Sequence, residues 1–305
     1  MTPSPAVPGT ALPDEAVPAA ALPDEGAAPA IPLTTPVRLV VTDMDGSLLD
    51  PAKRLPAATA AVVAALAERG IAFCPASGRQ LANLRVLLGS TGDGLPFIAE
   101  NGSLVVRGDT VLGTQPLPDG SGAAVVDAVR ALAAAGRDVG VVVCGARSAW
   151  VEGGSAAFLG SVHAHYALVE HVDDVLAVDD VVLKLAVFDA GDVEDGTSAA
   201  VADVAGGLRV LVSGQHWVDL MHPDADKEVG LRHVQDALGV TAAQTMAFGD
   251  YLNDLRMLRA VGYGVAMDNA HPDVRAAARF IAPGNHVNGV LRTLAATFDL
   301  DVPGL

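Results

Sequence analysis

Asp43 and Asp45 stand one residue apart at the end of the apolar run Leu39-Val40-Val41-Thr42, with Gly46 directly behind them. A continuously apolar run reads as a buried parallel strand, so the two carboxylates fall at the carboxyl edge of a sheet, where open α/β folds place ligands. Residues i and i+2 of a strand point to the same side, which turns both acids one way and leaves the Met44 backbone N–H between them. Gly46 lets the chain turn off without a Cβ clash. One carboxylate can then attack as a nucleophile and the other move a proton, with a hard cation offsetting their charge. Taken alone, Asp-x-Asp-Gly also suits a calcium loop or a plain polar turn.

Three further polar sites narrow the choice. Ser77-Gly78-Arg79 follows a second short apolar run, Lys227 opens a helical pattern, and Gly249-Asp250-x-x-Asn253-Asp254 ends a third run. Together they supply what phosphoryl transfer needs, chiefly positioning and charge neutralisation. Asp43 would attack phosphorus and form an aspartyl-phosphate. Asp45 would protonate the leaving alcohol and then activate the hydrolytic water. Ser77, at a strand end and helix start, offers a hydroxyl and neighbouring N–H groups to phosphate. Lys227 adds a compact positive charge. Asp250 would complete a Mg²⁺ site with Asp43 and the backbone carbonyl of Asp45.

The elements that must position these groups alternate. From residue 37 the chain reads as strand 39–43, helix 56–69, strand 71–74, a helix through Leu81, Leu84, Leu87 and Leu88, strand 97–99, and a hairpin around Arg107-Gly108-Asp109. After residue 216 the alternation returns, with strand 217–221, helix 227–238 closed by Gly239, strand 245–248 and two further strand–helix pairs. Such alternation predicts an α/β fold with a doubly wound, Rossmann-like parallel sheet. Residues 116–213 have a different rhythm, mixing strands and helices with no strand ending in an acid pair and glycine. They read as an inserted α+β cap between core segments 37–115 and 214–305, joined by glycine-containing linkers at 113–118 and 212–216.

Residues 1–36 stand apart. They hold nine of the 19 prolines and no basic residue, and Ala-Leu-Pro-Asp-Glu occurs twice, at 11–15 and 21–25. Proline at this density opposes helix and sheet alike, so a disordered tail is expected. The whole chain of 305 residues carries a net charge of −17, which argues against nucleic acid and anionic membrane as partners. No apolar run approaches the roughly 18 residues a membrane span needs. Cys74 and Cys144 both lie in apolar runs, which points to two reduced buried thiols in a cytoplasmic protein rather than a disulfide framework.

The set Asp43-Met44-Asp45-Gly46-Ser47-Leu48-Leu49, Ala76-Ser77-Gly78-Arg79, Glu100-Asn101-Gly102, Lys227 and Phe248-Gly249-Asp250-x-x-Asn253-Asp254 closely resembles the haloacid dehalogenase-like superfamily. Within it the chain is most similar to the Cof-type phosphatases, which carry a large cap between the second and third motifs. Gly264 to Ala270 and Asn288-Gly289-Val290 resemble later segments of the same group. The resemblance covers about 37–112 and 217–298, rests in the cap on size and position only, and fails in the tail. It implies Asp43 as nucleophile and metal ligand, Asp45 as acid/base and carbonyl ligand, and Asp250 as metal ligand. Phosphate would be held by the Met44 N–H, Ser77, Gly78, Lys227 and Asn253. Two residues depart from the pattern: Ser47 replaces the commoner threonine, and Glu228 replaces glycine after the lysine. At a helix N-terminus Glu228 is expected to face solvent.

The expected activity is Mg²⁺-dependent hydrolysis of a small phosphorylated metabolite, a sugar phosphate or similar monoester. A phosphomutase or a phosphatase for one sugar-phosphate ester would use the same core. A non-catalytic ligand-binding regulator is the reading from another class, and intact Asp43, Asp45, Lys227 and Asp250 count against it. Asp254 is expected to stand behind the ligands, orienting Lys227. Arg79 suits either the substrate or a nearby acid. His163, His165 and His171 match no zinc spacing, and Lys184 and Trp150 suit the cap's inner face or its packing. Cys74 is read as inert, since apolar surroundings raise a thiol's pKa. Nothing in the sequence sets the substrate or the oligomeric state.

Overall fold

A computed structural model of the chain describes residues 28–305. In the first core segment, strands β1 (Leu39–Asp43), β2 (Ala72–Ala76) and β3 (Pro96–Ala99) alternate with helices α1 (Thr59–Glu68) and α2 (Leu81–Leu88), and β4 (Leu104–Arg107) and β5 (Thr110–Thr114) form a hairpin. The middle of the chain supplies α3 (Ala123–Ala134), β6 (Val139–Gly145), β7 (Ala149–Val151), α4 (Ala156–His165), β8 (Val169–His171), β9 (Val182–Asp189), α5 (Thr197–Asp203), β10 (Arg209–Gly214) and β11 (Trp217–Met221). The chain finishes with α6 (Lys227–Leu238), β12 (Thr245–Gly249), α7 (Leu255–Arg259), β13 (Tyr263–Met267), α8 (Pro272–Ala277), β14 (Phe280–Ala282) and α9 (Gly289–Phe298).

Two sheets result. The larger has eight strands in the order β14-β13-β12-β1-β2-β3-β4-β5. All its pairings are parallel except those of the terminal hairpin. The first three strands step outward on one side of β1, and β12 to β14 step outward on the other. The order therefore reverses between β1 and β12, and the crevice at that reversal is where an open α/β sheet binds ligands. Val40, Val41 and Leu39 are wholly buried, as a strand covered on both faces requires.

The smaller sheet has six strands, β10-β11-β9-β6-β7-β8. One of its faces packs Val141, Val143, Leu185, Val187, Val218 and Leu220 against α3 and α5. The other packs Val142, Cys144, Ala186 and Phe188 against Phe158 and Val162 of α4. This sheet corrects one boundary. Residues 217–221 were expected to resume the core, but β11 pairs antiparallel with β9 and β10. The return crossing therefore lies at about residues 222–226, not at 212–216.

A second correction concerns the tail expected over residues 1–36. Residues 1–27 lie outside the described residues. Residues 28–36 dock on the core: Ile31 is buried in it, and its N–H donates to Thr297 Oγ1 at 3.0 Å. The Tyr263 hydroxyl accepts from the N–H groups of Thr34 (2.9 Å) and Thr35 (2.7 Å) and donates to the Thr35 carbonyl at 2.8 Å. Backbone donors that no sheet satisfies find one side chain instead. Both cysteines are buried and unpaired, and no described helix is long and apolar enough to cross a membrane.

Candidate active site

The first strand delivers Asp43 to the crevice, 6% exposed. The chain then turns at Gly46, whose φ is +84°. A side chain there would collide with the Asp250 carboxylate, so the glycine serves both the turn and the close approach of β1 to β12. Asp226 caps α6 by accepting the Glu228 N–H at 2.9 Å, which fixes Lys227 at the helix start. Lys227 is wholly buried and its ammonium donates to Asp43 Oδ1 and, at 2.7 Å, to Asp254 Oδ1.

Asp254 spends its other oxygen on the chain. Its Oδ2 accepts the N–H of Asp250 (3.0 Å) and of Tyr251 (3.1 Å). Both oxygens are thus occupied, and the residue holds Lys227 and the β12 loop in place. Ser47 donates to Asp250 Oδ1 at 3.3 Å, so the serine found in place of threonine uses its hydroxyl on that acid. Oxygens of Asp43, Asp250 and Asp254 lie within 4.8 Å of one another. Asp43 and Asp254 share the Lys227 ammonium and the Asp250 carboxylate stands close by, so acidic groups outnumber the basic one here. Burial pushes the Asp43 carboxyl well above its usual range; Lys227 pulls it down, while Asp254 and Asp250 push it further up. Asp250 is raised to about 6, by burial first and then by Asp254. The Lys227 ammonium is opposed by burial but held charged by Asp254 and Asp43.

A hard cation fits this donor set. Asp43 Oδ2 is buried with no hydrogen-bond partner among the described residues, an uncommon and costly state for a carboxylate oxygen. Asp250 stands beside it with its carboxyl raised to about 6. Asp254 already serves Lys227 and two N–H groups.

Asp45 does not reach into this cluster. Arg79 grips it as a fork, Nε to Oδ2 at 2.6 Å and Nη2 to Oδ1 at 2.5 Å. Of the two roles open to Arg79, pairing with an acid is the one observed. Ser77 is almost wholly buried and its hydroxyl accepts the Arg79 N–H at 3.2 Å. Behind it, Asn101 in left-handed conformation (φ 54°) donates its N–H to the Ser77 carbonyl, and its Oδ1 accepts from Asn253 Nδ2 at 3.0 Å. Asn101 ties the Ser77-Gly78 loop to Asn253, and an asparagine followed by glycine, two residue types that tolerate positive φ, is the signal the sequence carries for it. Glu228 corrects an expectation: it is buried, and Arg232 (2.5 Å) and Arg256 (3.3 Å) pair its carboxylate.

A cavity of about 930 Å³ opens over these groups, lined on the core side by Asp43, Asp45, Ser77, Gly78, Asp250 and Asn253. Its ceiling is the cap: His165, Tyr166, Lys184, Arg209, Trp217 and Asp219. Lys184 stands 2.8 Å from Glu100 Oε2, close enough for an ion pair without hydrogen-bond alignment, and 3.5 Å from Asp219. Trp150 does not line the cavity; its indole N–H donates to Asp180 at 3.0 Å. The rings of His163 and His171 sit 6.1 Å apart, away from the cavity.

The motifs and their geometry agree with comparisons to known proteins. A family model described as haloacid dehalogenase-like hydrolase matches residues 40–294. The 5-amino-6-(5-phospho-D-ribitylamino)uracil phosphatase YbjI of Escherichia coli K12 is 28% identical over 270 residues, 88% of this chain and 98% of the relative. An HMP-PP phosphatase of Enterobacter sp. strain 638 is 29% identical over 274 residues, 88% of this chain and 97% of the relative. In fold, the chain superposes on BT1666 of Bacteroides thetaiotaomicron, a phosphatase of the haloalkanoate dehalogenase superfamily, with a TM-score of 0.69 at 21% identity, covering 88% of this chain and 98% of that one.

Proposed function

Starting from the chain's membership of the haloacid dehalogenase-like hydrolases, as a phosphatase of the Cof type, we propose that it hydrolyses a small phosphorylated metabolite through an aspartyl-phosphate on Asp43. The observation that carries this reading is the placement of Asp43: the residue lines the cavity, Lys227 fixes one of its oxygens, and the other is buried with no hydrogen-bond partner among the described residues. A carboxylate held in this way at a ligand crevice is oriented for attack.

In the first step a carboxylate oxygen of Asp43 forms a bond to phosphorus as the bond to the substrate's ester oxygen breaks. Asp45 gives that oxygen a proton, so the product leaves as an alcohol. In the second step Asp45 takes a proton from water, the water oxygen attacks phosphorus, and the Asp43–phosphorus bond breaks to release phosphate. Ser77, the Gly78 and Met44 N–H groups, Lys227 and Asn253 hold the phosphoryl oxygens. Asp45 must leave one arm of the Arg79 fork to act. Mg²⁺, held by Asp43, Asp250 and the Asp45 carbonyl, would neutralise charge on the phosphoryl oxygens. The two relatives' named substrates, a phosphorylated ribitylaminouracil and HMP-PP, support a metabolite with a polar or ring-bearing body under the cap. Two buried thiols support a reducing, cytoplasmic setting.

The test is phosphate release from some dozens of phosphorylated metabolites and p-nitrophenyl phosphate, by purified protein with Mg²⁺. Turnover of at least one monoester is expected. Release from none of them, by folded protein, would end this reading.

A further inference from the structure

The cap touches the core at a second place, beside the phosphate loop. Gln80 and Asn83 lie one turn apart at the start of α2, immediately after Ser77-Gly78-Arg79. Gln80 Nε2 donates to the Leu168 carbonyl at 2.9 Å, and Gln80 Oε1 accepts the Leu168 N–H at 3.1 Å. Asn83 Nδ2 donates to the His165 carbonyl at 3.0 Å, and Asn83 Oδ1 accepts the Ala167 N–H at 2.9 Å. Each side-chain amide thus serves one carbonyl and one N–H of a single short cap segment, as a neighbouring strand would.

That segment joins α4 to β8 and contributes His165 and Tyr166 to the cavity. It is also tied to the cap sheet, because the Leu168 carbonyl accepts the Ala149 N–H at 3.1 Å. We propose that Gln80 and Asn83 form a clasp that holds cap segment 165–168 to the core, and that they are positioning residues for the substrate wall made by His165 and Tyr166. The inference rests on the phosphatase reading above, but its geometry does not. Neutral amide hydrogen bonds are individually weak, and those of Asn83 are exposed, so the clasp can open to admit substrate and release product. The Lys184–Glu100 ion pair, buried on both sides, is a separate contact between cap and core. The clasp is also adjacent to the chemistry: Arg79, which grips Asp45, precedes Gln80 directly, and its carbonyl accepts the Glu100 N–H.

The test uses the full chain with Asn83→Leu, since Asn83 lies outside the cavity lining. One preparation is assayed with acetyl phosphate, too short to meet the cap, and with flavin mononucleotide and glucose 6-phosphate. Their ratio cancels any loss of folded enzyme. For acetyl phosphate, kcat/KM should stay within about twofold. For the longer substrates it should fall by about tenfold, mainly through KM, since two hydrogen bonds are lost. Asn83→Asp keeps the acceptor and should fall in between. Hydrogen exchange at the Leu168 amide, which Asn83 does not touch, should quicken by about fivefold or more as the segment detaches. An equal fall for short and long substrates, or unchanged exchange at Leu168, would overturn the clasp. Failure of the unaltered protein to cleave acetyl phosphate would instead count against the phosphatase reading, and the exchange measurement would still decide the clasp.

Discussion

Magnesium should stabilise this protein in a strongly pH-dependent way, and Asp250 sets the scale. Its carboxyl is raised from an ordinary 3.8 to about 6 in the metal-free fold, which corresponds to about 3 kcal/mol. That is an upper figure, because solvent screens a partly exposed group. A raised folded-state value means the favourable contribution is complete below about 3.8 and is lost as pH climbs through 6. Above 6 the metal-free protein holds Asp250 charged at a cost, and a bound cation removes it. With Mg²⁺ at about 100 times its dissociation constant, the gain is about 2.7 kcal/mol at pH 7.5. At pH 5 only about a tenth of such carboxyls are ionised, so affinity falls about tenfold and the gain drops to about 1.4 kcal/mol. Asp43, raised by burial as well, steepens the trend. At roughly 2–4 °C per kcal/mol, the Mg²⁺-minus-EDTA difference in Tm should be about 5–10 °C at pH 7.5 and half that or less at pH 5. Asp250→Asn should raise the metal-free Tm at pH 7.5 and abolish most of the Mg²⁺ effect. An equal Mg²⁺ shift at both pH values, or none at pH 7.5, would refute the assignment of the cation to these acids.

Three further outcomes follow from individual side chains. Asp43→Asn keeps the shape but removes the attacking oxygen's charge, so phosphate release should fall by about a thousandfold or more while the metal-free Tm holds or rises. Lys227→Met strips the ammonium from two buried carboxylates, Asp43 and Asp254; a loss of about 3–5 kcal/mol, seen as a large drop in Tm at pH 7.5, should partly recover as the pH is lowered and Asp43 takes a proton. Ile31→Ala should cost about 2 kcal/mol or more, measurable as a lower urea midpoint. An unchanged midpoint would mean that the burial of the Ile31 side chain contributes nothing to the fold.

The layout of the crevice was legible because its polar groups end buried strands or open a helix. Asp43, Ser77 and Asp250 stand where apolar runs stop and Lys227 where a helix opens, and a polar residue at such a break is visible without knowing what surrounds it. The errors share a cause as well. The strand at 217–221 carries one polar residue, Asp219, among apolar ones and is buried along nearly all its length, so its pattern does not tell an antiparallel strand from a parallel one. Its place next to the third motif suggested the core, and only its pairing with β9 and β10 puts it in the smaller sheet. Residues 28–36 lack any period, because their docking runs through one buried isoleucine and the hydroxyl of Tyr263, more than 220 positions away. Glu228 looked like a solvent-facing helix-start acid because its partners, Arg232 and Arg256, are brought to it by helix geometry and by the α6–α7 contact.

The substrate wall was hidden for a deeper reason. A catalytic carboxylate must be a carboxylate, so its residue type announces it. A group that positions backbone is less constrained, since any amide of suitable reach can serve a carbonyl and an N–H. Gln80 and Asn83 read as unremarkable polar positions on a helix, and the segment they hold, His165 to Leu168, carries no motif. Lys184 lies inside the apolar run of β9, and only the approach of Glu100 from the core and Asp219 from β11 gives its charge a purpose. Catalysis here rests on what the side chains are, and selection on where the backbone is held. Short phosphate esters depend on the first and larger metabolites on both, which is why comparing the two separates the core's work from the cap's.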